Sequence, residues 1–426
     1  MRVKKLQTVM SDYDFIIIGA GINGLALGAL LSKDGARVLV LEKSREIGGR
    51  AWVQKRGDFQ VDYGMHLVRF GKESVLSGIC SALGHPLEFH NVESTYLVGE
   101  GSQLEIPARG ASQSMNMFAG DRTLDELKRV SLQAWMDEKG MGRRLRKLFT
   151  ATSATLNVNP FVERSSVGEL LLNLKKVGES EVGAAYPVGG WQPIFSLFQD
   201  WIDKKGQVRT SIPVESILVQ DGRAVGVRTR EGNIAAGRVI SAIPCQDLFN
   251  LLEEKLCPPG FPAKCRGLRP TAGIVLDYGI SGTINAGRNL WCLWEPLSYG
   301  FFPSNFEPRI APPDHQLLTW FYPLEKFQVE DNEVSRGFKT RLEEAIFSLF
   351  PALPERIRWS RSLYLPMVDG AEVSVDQTRE DRPGSTVPDV DSLFLVGDSV
   401  GGEGAGGDIG HNSVSQCYST ITGKKI

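Results

Sequence analysis

The run Asp14-Phe15-Ile16-Ile17-Ile18, followed at once by Gly19-Ala20-Gly21-Ile22-Asn23-Gly24, leaves this chain few folds to adopt. An unbroken stretch of aromatic and β-branched residues reads as a strand buried on both faces, which is the habit of parallel sheets. The glycines then demand a tight turn, and apolar residues through Leu31 continue as a helix. Val38-Leu39-Val40-Leu41 is a second buried strand, and it ends on Glu42 and Lys43. In such a strand–helix–strand unit Gly19 permits the turn around Ala20. Gly21 lets backbone approach a pyrophosphate, and Gly24 lets the helix pack close to the strand. The helix N-terminus offers unpaired N–H groups and the positive end of its dipole to phosphates. Glu42 can accept hydrogen bonds from a ribose hydroxyl. The pattern predicts an α/β fold that grips a dinucleotide.

The residues after Glu42 narrow the ligand. Gly48-Gly49-Arg50 places a second flexible pair and a phosphate-pairing guanidinium just beyond the acid. Asp62-Tyr63-Gly64-Met65-His66 follows. Near the other end, Leu393-Phe394-Leu395-Val396-Gly397-Asp398 reads as a short buried strand closing on Gly-Asp. Gly401, Gly402, Gly404, Gly406, Gly407 and Gly410 come next, ahead of a final helix. With these elements the chain resembles the flavin amine oxidase and phytoene desaturase superfamily. The resemblance implies FAD as cofactor. It also implies a Rossmann-like FAD-binding domain of the glutathione-reductase type, discontinuous in sequence, with an inserted mixed-sheet (α+β) substrate domain. It carries specific roles onto Asp398 as a ligand of the ribityl chain, onto backbone near Ile409 at the isoalloxazine, and onto Val214 at the adenine. Met65 and His66 fall beside the flavin.

Alternating apolar stretches at 208–217, 224–229 and 238–244, separated by Asp221-Gly222 and Glu231-Gly232, predict a strand meander beside the dinucleotide unit. The expected division is 12–72, 185–245 and 388–426 for the FAD-binding domain, and 73–184 and 246–387 for the substrate-binding domain. The first insertion reads as helical, with Thr123 and Glu126 forming a capping box. The second reads as strand-rich, with strands near 272–278 and 317–322 and a helix over 333–350.

Composition excludes several classes. The 426 residues carry a net charge of -2 with both signs interspersed, which gives no case for nucleic acid. Six scattered cysteines without a C-x-x-C pair indicate neither a metal site nor a disulfide framework. No secretory signal or membrane span is expected, so the expected location is cytoplasmic. The basic stretch 139–147, with Met141, Leu145 and Leu148 nearby, allows peripheral contact with a membrane; a solvated helix face is the plainer reading.

Chemistry is less legible. His66 is the leading candidate for acid–base work or substrate orientation, and a structural histidine bonded to backbone is the competing reading. His411 is a second candidate, and Asp408 is expected to cap the final helix. The aromatics Trp291, Trp294, Tyr299, Phe301, Phe302, Trp320, Phe321 and Tyr322 read mainly as core, with some lining an apolar substrate cavity. The functional expectation is an FAD-dependent oxidoreductase that dehydrogenates or reduces a small hydrophobic, isoprenoid- or lipid-like substrate. The alternatives are an amine or protoporphyrinogen oxidase-like enzyme, a flavin-dependent isomerase without net redox, and a non-catalytic carrier like the GDP dissociation inhibitors.

Overall fold

The computed structural model describes residues 12–99, 101–107, 122–180 and 182–426. The basic amino-terminal stretch 1–11 lies outside them. Two seven-stranded sheets carry the architecture. In the first, Tyr13–Ile18 pairs in parallel with Val38–Leu41 on one side and with the end of Gly232–Ser241 on the other. Gln207–Arg209 extends the sheet in parallel beyond Val38–Leu41, and Leu393–Leu395 extends it beyond Gly232–Ser241.

Period-2 geometry explains the continuous apolar run at the start. Phe15 and Ile17 point into the core beneath the helix Ile22–Lys33, whereas Ile16 and Ile18 point into a second core with Leu39, Leu248, Phe249 and Cys265. Both faces are covered from Phe15 to Ile18, so none of these four positions can be polar. The helices Gln192–Asp203 and Gly407–Thr422 pack on Ile22–Lys33. The first sheet therefore draws its strands from three separate stretches of chain.

The meander is present as Val214–Gln220, Arg223–Thr229 and Gly232–Ser241. The single strand expected over 208–217 is two. Ser211 adopts φ 61° and Pro213 follows it, which breaks the chain between Gln207–Arg209 and Val214–Gln220.

The second sheet runs in the order Ile357–Leu365, Ala272–Ser281, His315–Leu324, Leu297–Phe301, Asn289–Trp294, Ser94–Gly99, Ser102–Pro107. Its last two strands come from the first insertion, which the sequence suggested was helical. That insertion does supply helices as well, and Thr123 and Glu126 form the expected capping box. One face of the sheet packs Ile274, Leu276, Tyr278, Leu318 and Trp320 under the helix Asn332–Leu349 through Leu342 and Ile346. The opposite face presents a transverse row of paired residues, Leu363–Val275–Phe321–Tyr299–Cys292, toward the first sheet.

The next row of this face holds a buried polar clasp. Asp277 pairs with Arg361 at 2.8 Å and accepts from the Thr319 hydroxyl at 2.8 Å. Arg361 also donates to the Asp62 carbonyl, and the Tyr186 hydroxyl donates to the Asp62 carboxyl at 2.7 Å. The loop that begins at Asp62 is thus fastened to the second sheet. Burial pushes the Asp62 carboxyl up to about 7, with the neighbouring Asp277 charge adding to it. A carboxyl whose folded value lies above its unfolded value holds a proton that the unfolded chain has lost, so stability falls as pH rises between the two. Wild-type protein should lose stability between about pH 4 and 7 relative to Asp62→Asn, by up to about 4 kcal/mol for a shift of this size. Denaturant midpoints of both proteins across that range check it; parallel pH profiles would refute the protonated Asp62.

Candidate functional site

A cavity of ≈ 710 Å³ runs from Glu42, Lys43 and Val214 at one end to Val275, Tyr299, Phe321 and Leu365 on the second sheet at the other. Its first end is the glycine turn. Gly19 has φ 103° and donates to the Leu41 carbonyl at 2.8 Å. Gly24 cannot carry a side chain, because a Cβ there would sit 2.3 Å from the Gly19 carbonyl oxygen. Gly21 is the N-cap of Ile22–Lys33, and no side chain caps that helix. A Cβ on Gly21 would meet no protein atom within 4 Å, so the space in front of the free helix N-terminus is open. Phosphate fits that opening on chemical grounds as well as by room.

Glu42 is buried and shapes the same end. One oxygen accepts from the Ala20 amide and the other from the Ser44 amide, both at 2.8 Å. A carboxylate has further acceptor capacity, so a ribose hydroxyl can still bond to it. Gly48 and Gly49 follow with φ 107° and 59°. A Cβ on Gly49 would lie 3.1 Å from the Gly21 Cα, so this second glycine pair presses against the first turn.

Arg50 and Asp398 meet in the middle of the cavity wall at 2.7 Å. Arg50 also donates to the Val368 carbonyl at 2.8 Å, and Asp398 accepts from the Gly370 amide at 2.9 Å. Burial alone would lower the Arg50 guanidinium, but the Asp398 carboxylate outweighs it and holds Arg50 above its ordinary value. His66 closes its loop against the same arginine. Its Nε2 lies 3.0 Å from the Arg50 carbonyl and 3.1 Å from the Tyr63 carbonyl. Both partners are acceptors, so Nε2 carries the proton and Nδ1 is left as an acceptor. Burial lowers the His66 pKa and keeps the ring neutral. The edge-on packing of Trp191 fixes its plane.

The last helix, Gly407–Thr422, starts from Gly406, whose φ of 58° and lack of a side-chain cap leave another open N-terminus. Asp408 is not the cap, contrary to expectation. It sits in the first turn and pairs with Arg69 at 3.4 Å, while Arg69 donates to the Ala405 carbonyl at 2.7 Å. Burial raises Asp408 despite that arginine. His411 is also buried, its Nδ1 has no partner, and desolvation pulls its pKa down to about 4. A neutral orphaned imidazole beside two glycines suits a hydrogen-bonding heterocycle.

The structure brings Gly19, Gly21, Glu42, Lys43, Gly49, Arg50, Met65, His66, Val214, Gly397 and Asp398 to this one cavity. Ala20 and Gly24 support its turn without lining it. Ile409 does not reach it. Its amide is taken by the Gly406 carbonyl at 3.2 Å and its side chain packs with Val373 and Ala405, so Gly406 and Gly407 line the wall in its place. Of the eight aromatics singled out, only Tyr299 and Phe321 line the cavity; Trp291, Phe302, Trp320 and Tyr322 lie in the core under Asn332–Leu349. Sequence reasoning missed Arg69 and Asp369. Neither sits in a motif, and the strand pairing and loop that bring them in join distant parts of the chain.

The basic stretch 139–147 is less free than the membrane reading needs. Met141 is buried and Leu148 packs on the same core, so of its apolar residues Leu145 alone is exposed. Arg146 pairs with Asp137 at 2.6 Å, and the Lys147 ammonium lies 4.9 Å from the Trp294 ring. No helix among the described residues is long and apolar enough to cross a membrane.

Residues 17–83 match the family model described as an NAD(P)-binding Rossmann-like domain. The chain is 26% identical to the prolycopene isomerase of Daucus carota over 292 residues, 57% of this chain and 48% of that protein. It is 29% identical to the phytoene dehydrogenase of Streptomyces griseus over 147 residues, 30% of this chain and 29% of that protein. The chain thus spans about half the length of the carrot relative, and less of the bacterial one. These similarities support an FAD-dependent oxidoreductase superfamily for the chain. An oxidoreductase structure from Methanosarcina mazei covers 96% of this chain and 100% of its own at TM-score 0.79 and 20% identity, which shows the shared fold.

The two glycines of the first turn should separate folding from binding. Gly24→Ala places a methyl against backbone and should destabilise the protein by several kcal/mol, on the scale of about 1–3 for overpacking and more where backbone must move. Gly21→Ala meets nothing and should melt like wild type, yet lose dinucleotide affinity. Melting curves with and without FAD decide this; a Gly21→Ala protein stabilised by FAD as much as wild type would remove the turn from the binding site.

Proposed function

We propose that the chain is an FAD-dependent oxidoreductase, phytoene desaturase-like, that dehydrogenates or reduces a hydrophobic, isoprenoid- or lipid-like molecule. The observation that carries this reading is the continuity of one cavity. It starts at a dinucleotide turn, passes the Arg50–Asp398 pair, and ends on an apolar wall of Leu365, Val275 and Phe321. The superfamily relatives support it, since those named act on prolycopene and phytoene. FAD, when bound, supplies hydride transfer at its N5. The domain division proposed is 12–72, 185–245 and 388–426 for the cofactor and 73–184 and 246–387 for the substrate.

The chain's own residues then have distinct tasks. The N-terminus of Ile22–Lys33, with Gly19 and Gly21, holds the pyrophosphate, and Glu42 accepts from ribose, with Lys43 and Val214 at the adenosine end. Arg50 and Asp398 hold the ribityl–pyrophosphate region, and Gly49 keeps the backbone close. Met65 and His66 bear on the flavin ring. His66 acts by position: its proton is committed to two carbonyls, and its free Nδ1 accepts from what lies in the cavity. The apolar far wall seats the substrate and excludes water, which strengthens every polar contact inside. Isomerisation without net redox would use the same site, as the name of the carrot relative illustrates. A carrier needs neither Arg50 nor Asp398 in this arrangement.

An absorption spectrum of purified protein tests the cofactor. Oxidised flavin bands at roughly 370 and 450 nm, the cofactor's own absorption, are expected. Anaerobic addition of an isoprenoid extract should bleach them if a dehydrogenated substrate is present. Failure to bind FAD on reconstitution would end this reading. Asp398→Ala should weaken FAD retention about ten- to hundredfold, the worth of a hydrogen bond to a charged group, and full occupancy in the variant would exclude the role. His66→Ala should keep FAD and lose turnover; unchanged kinetics would leave His66 as scaffold.

A further inference from the structure

Two helix starts, those of Ile22–Lys33 and Gly407–Thr422, cross at one corner of the cavity. Gly410 makes the crossing possible, because a Cβ there would stand 2.3 Å from the Asn23 Nδ2. Beside it, His411 is 5% exposed and lines the cavity. Its Nδ1 and the Asn23 Oδ1 are both buried without a hydrogen-bond partner among the described residues. Burial pulls the imidazole down to about 4 and the Asp398 charge opposes this only in part, so the ring is neutral and carries one N–H. Buried N–H groups without an acceptor are rarer than under-satisfied acceptors, which assigns the proton to Nε2 and leaves Nδ1 as a sealed acceptor. The ring carbon between the two nitrogens, Cε1, lies 3.7 Å from where a Gly407 Cβ would stand, and Gly407 lines the cavity wall. With Nδ1 closed off, Nε2–H is the group left to meet what the cavity holds.

A leucine would fill the same space without a sealed polar atom, so a ring kept here at that cost has a task for its other nitrogen. We propose that His411 is a cofactor-binding residue whose Nε2–H donates to a carbonyl oxygen of the flavin ring. The proposal rests on the FAD reading above and adds a side-chain donor to it. Placement favours the flavin half of the cofactor. Gly406 and Gly407 take the wall position that the superfamily resemblance gives to the isoalloxazine. Asp398, the charge that acts on His411, is carried over as the ribityl ligand. A neutral donor suits an uncharged carbonyl. Fixed in the wall beforehand, it also stabilises the negative charge that hydride transfer brings onto such an oxygen.

The experiment records the infrared carbonyl bands of FAD bound to wild type, His411→Leu and His411→Gln. It also measures the dissociation constants of all three for FAD and for ADP, which lacks the flavin. In His411→Leu a flavin carbonyl band should move to higher wavenumber, as a carbonyl does when it loses a donor. FAD should bind about tenfold more weakly, the worth of one hydrogen bond, with ADP binding unchanged. His411→Gln returns an N–H at the reach of Nε2 and should restore both band and affinity. His411→Asn, whose shorter amide stops near the Nδ1 position, should behave as the leucine variant does, and it carries the test if His411→Leu does not fold. Unmoved bands in the leucine and asparagine variants overturn the inference. So does a loss of ADP affinity as large as that of FAD, or a glutamine variant no better than leucine. Wild-type protein that binds no FAD sinks the parent reading, whereas bound FAD with unmoved bands sinks this one alone.

Discussion

The ion pair between Arg50 and Asp398 is the joint on which the candidate site depends. It closes a loop of 348 residues with a 2.7 Å contact. Each partner is also held by backbone, Arg50 by the Val368 carbonyl and Asp398 by the Gly370 amide. A part-buried charge pair of this kind contributes little net stability, because desolvation offsets most of the attraction. Its value lies in registration. It fixes the glycine pair after Glu42, the Gly-Asp turn after Leu393–Leu395, and the approach of the second sheet through the loop at 366–370. Everything that lines the middle of the cavity is referred to it.

The Asp62 clasp complements that joint from the far side. Arg361 and Tyr186 reach Asp62 from the second sheet and from the strand Ala184–Pro187, so the loop 62–66 is anchored at its first residue. His66 is anchored at its last, by the carbonyls of Arg50 and Tyr63. A loop fixed at both ends presents backbone and one neutral imidazole to the cavity with little freedom. Such rigidity is what a site gains when polar groups are placed before the ligand arrives. The unpartnered groups stand out for the same reason. Among the described residues that line the cavity, the Asn23 Oδ1, the Trp191 Nε1 and the His411 Nδ1 are buried without a partner.

Much of this was legible from local chemistry. The first turn, its helix, Glu42, Gly48-Gly49-Arg50 and Gly397-Asp398 announce themselves because backbone geometry at a turn demands glycine and a dinucleotide demands acid and arginine at short spacing. The helix over 333–350 was legible from its apolar period, and the meander from its turn signals. Failures have local causes too. Ser211 and Pro213 split one expected strand into two with different partners. Asp408 looked like a cap, but Gly406 holds the N-cap position, and the nearby Arg69 makes an ion pair the better use of that carboxylate. Ile409 turned inward because Gly406 and Gly407 leave the cavity wall to backbone.

The sequence by itself determined the dinucleotide turn, the buried parallel strands and the pairing chemistry of Glu42, Arg50 and Asp398, since each follows from constraints that act over a few residues. Tertiary structure alone decided which aromatics face the cavity. Strand register decides it: Phe321 and Tyr299 share a transverse row, while Trp320 and Tyr322, one residue to either side of Phe321, fall on the opposite face. It alone also set Tyr299 on one cavity wall and Asp369 beside the Arg50–Asp398 pair, which bonds its neighbours Val368 and Gly370. No local pattern joins a strand residue of one insertion to a loop held by Thr271 98 residues away in sequence. Only the packing of one sheet against the other does.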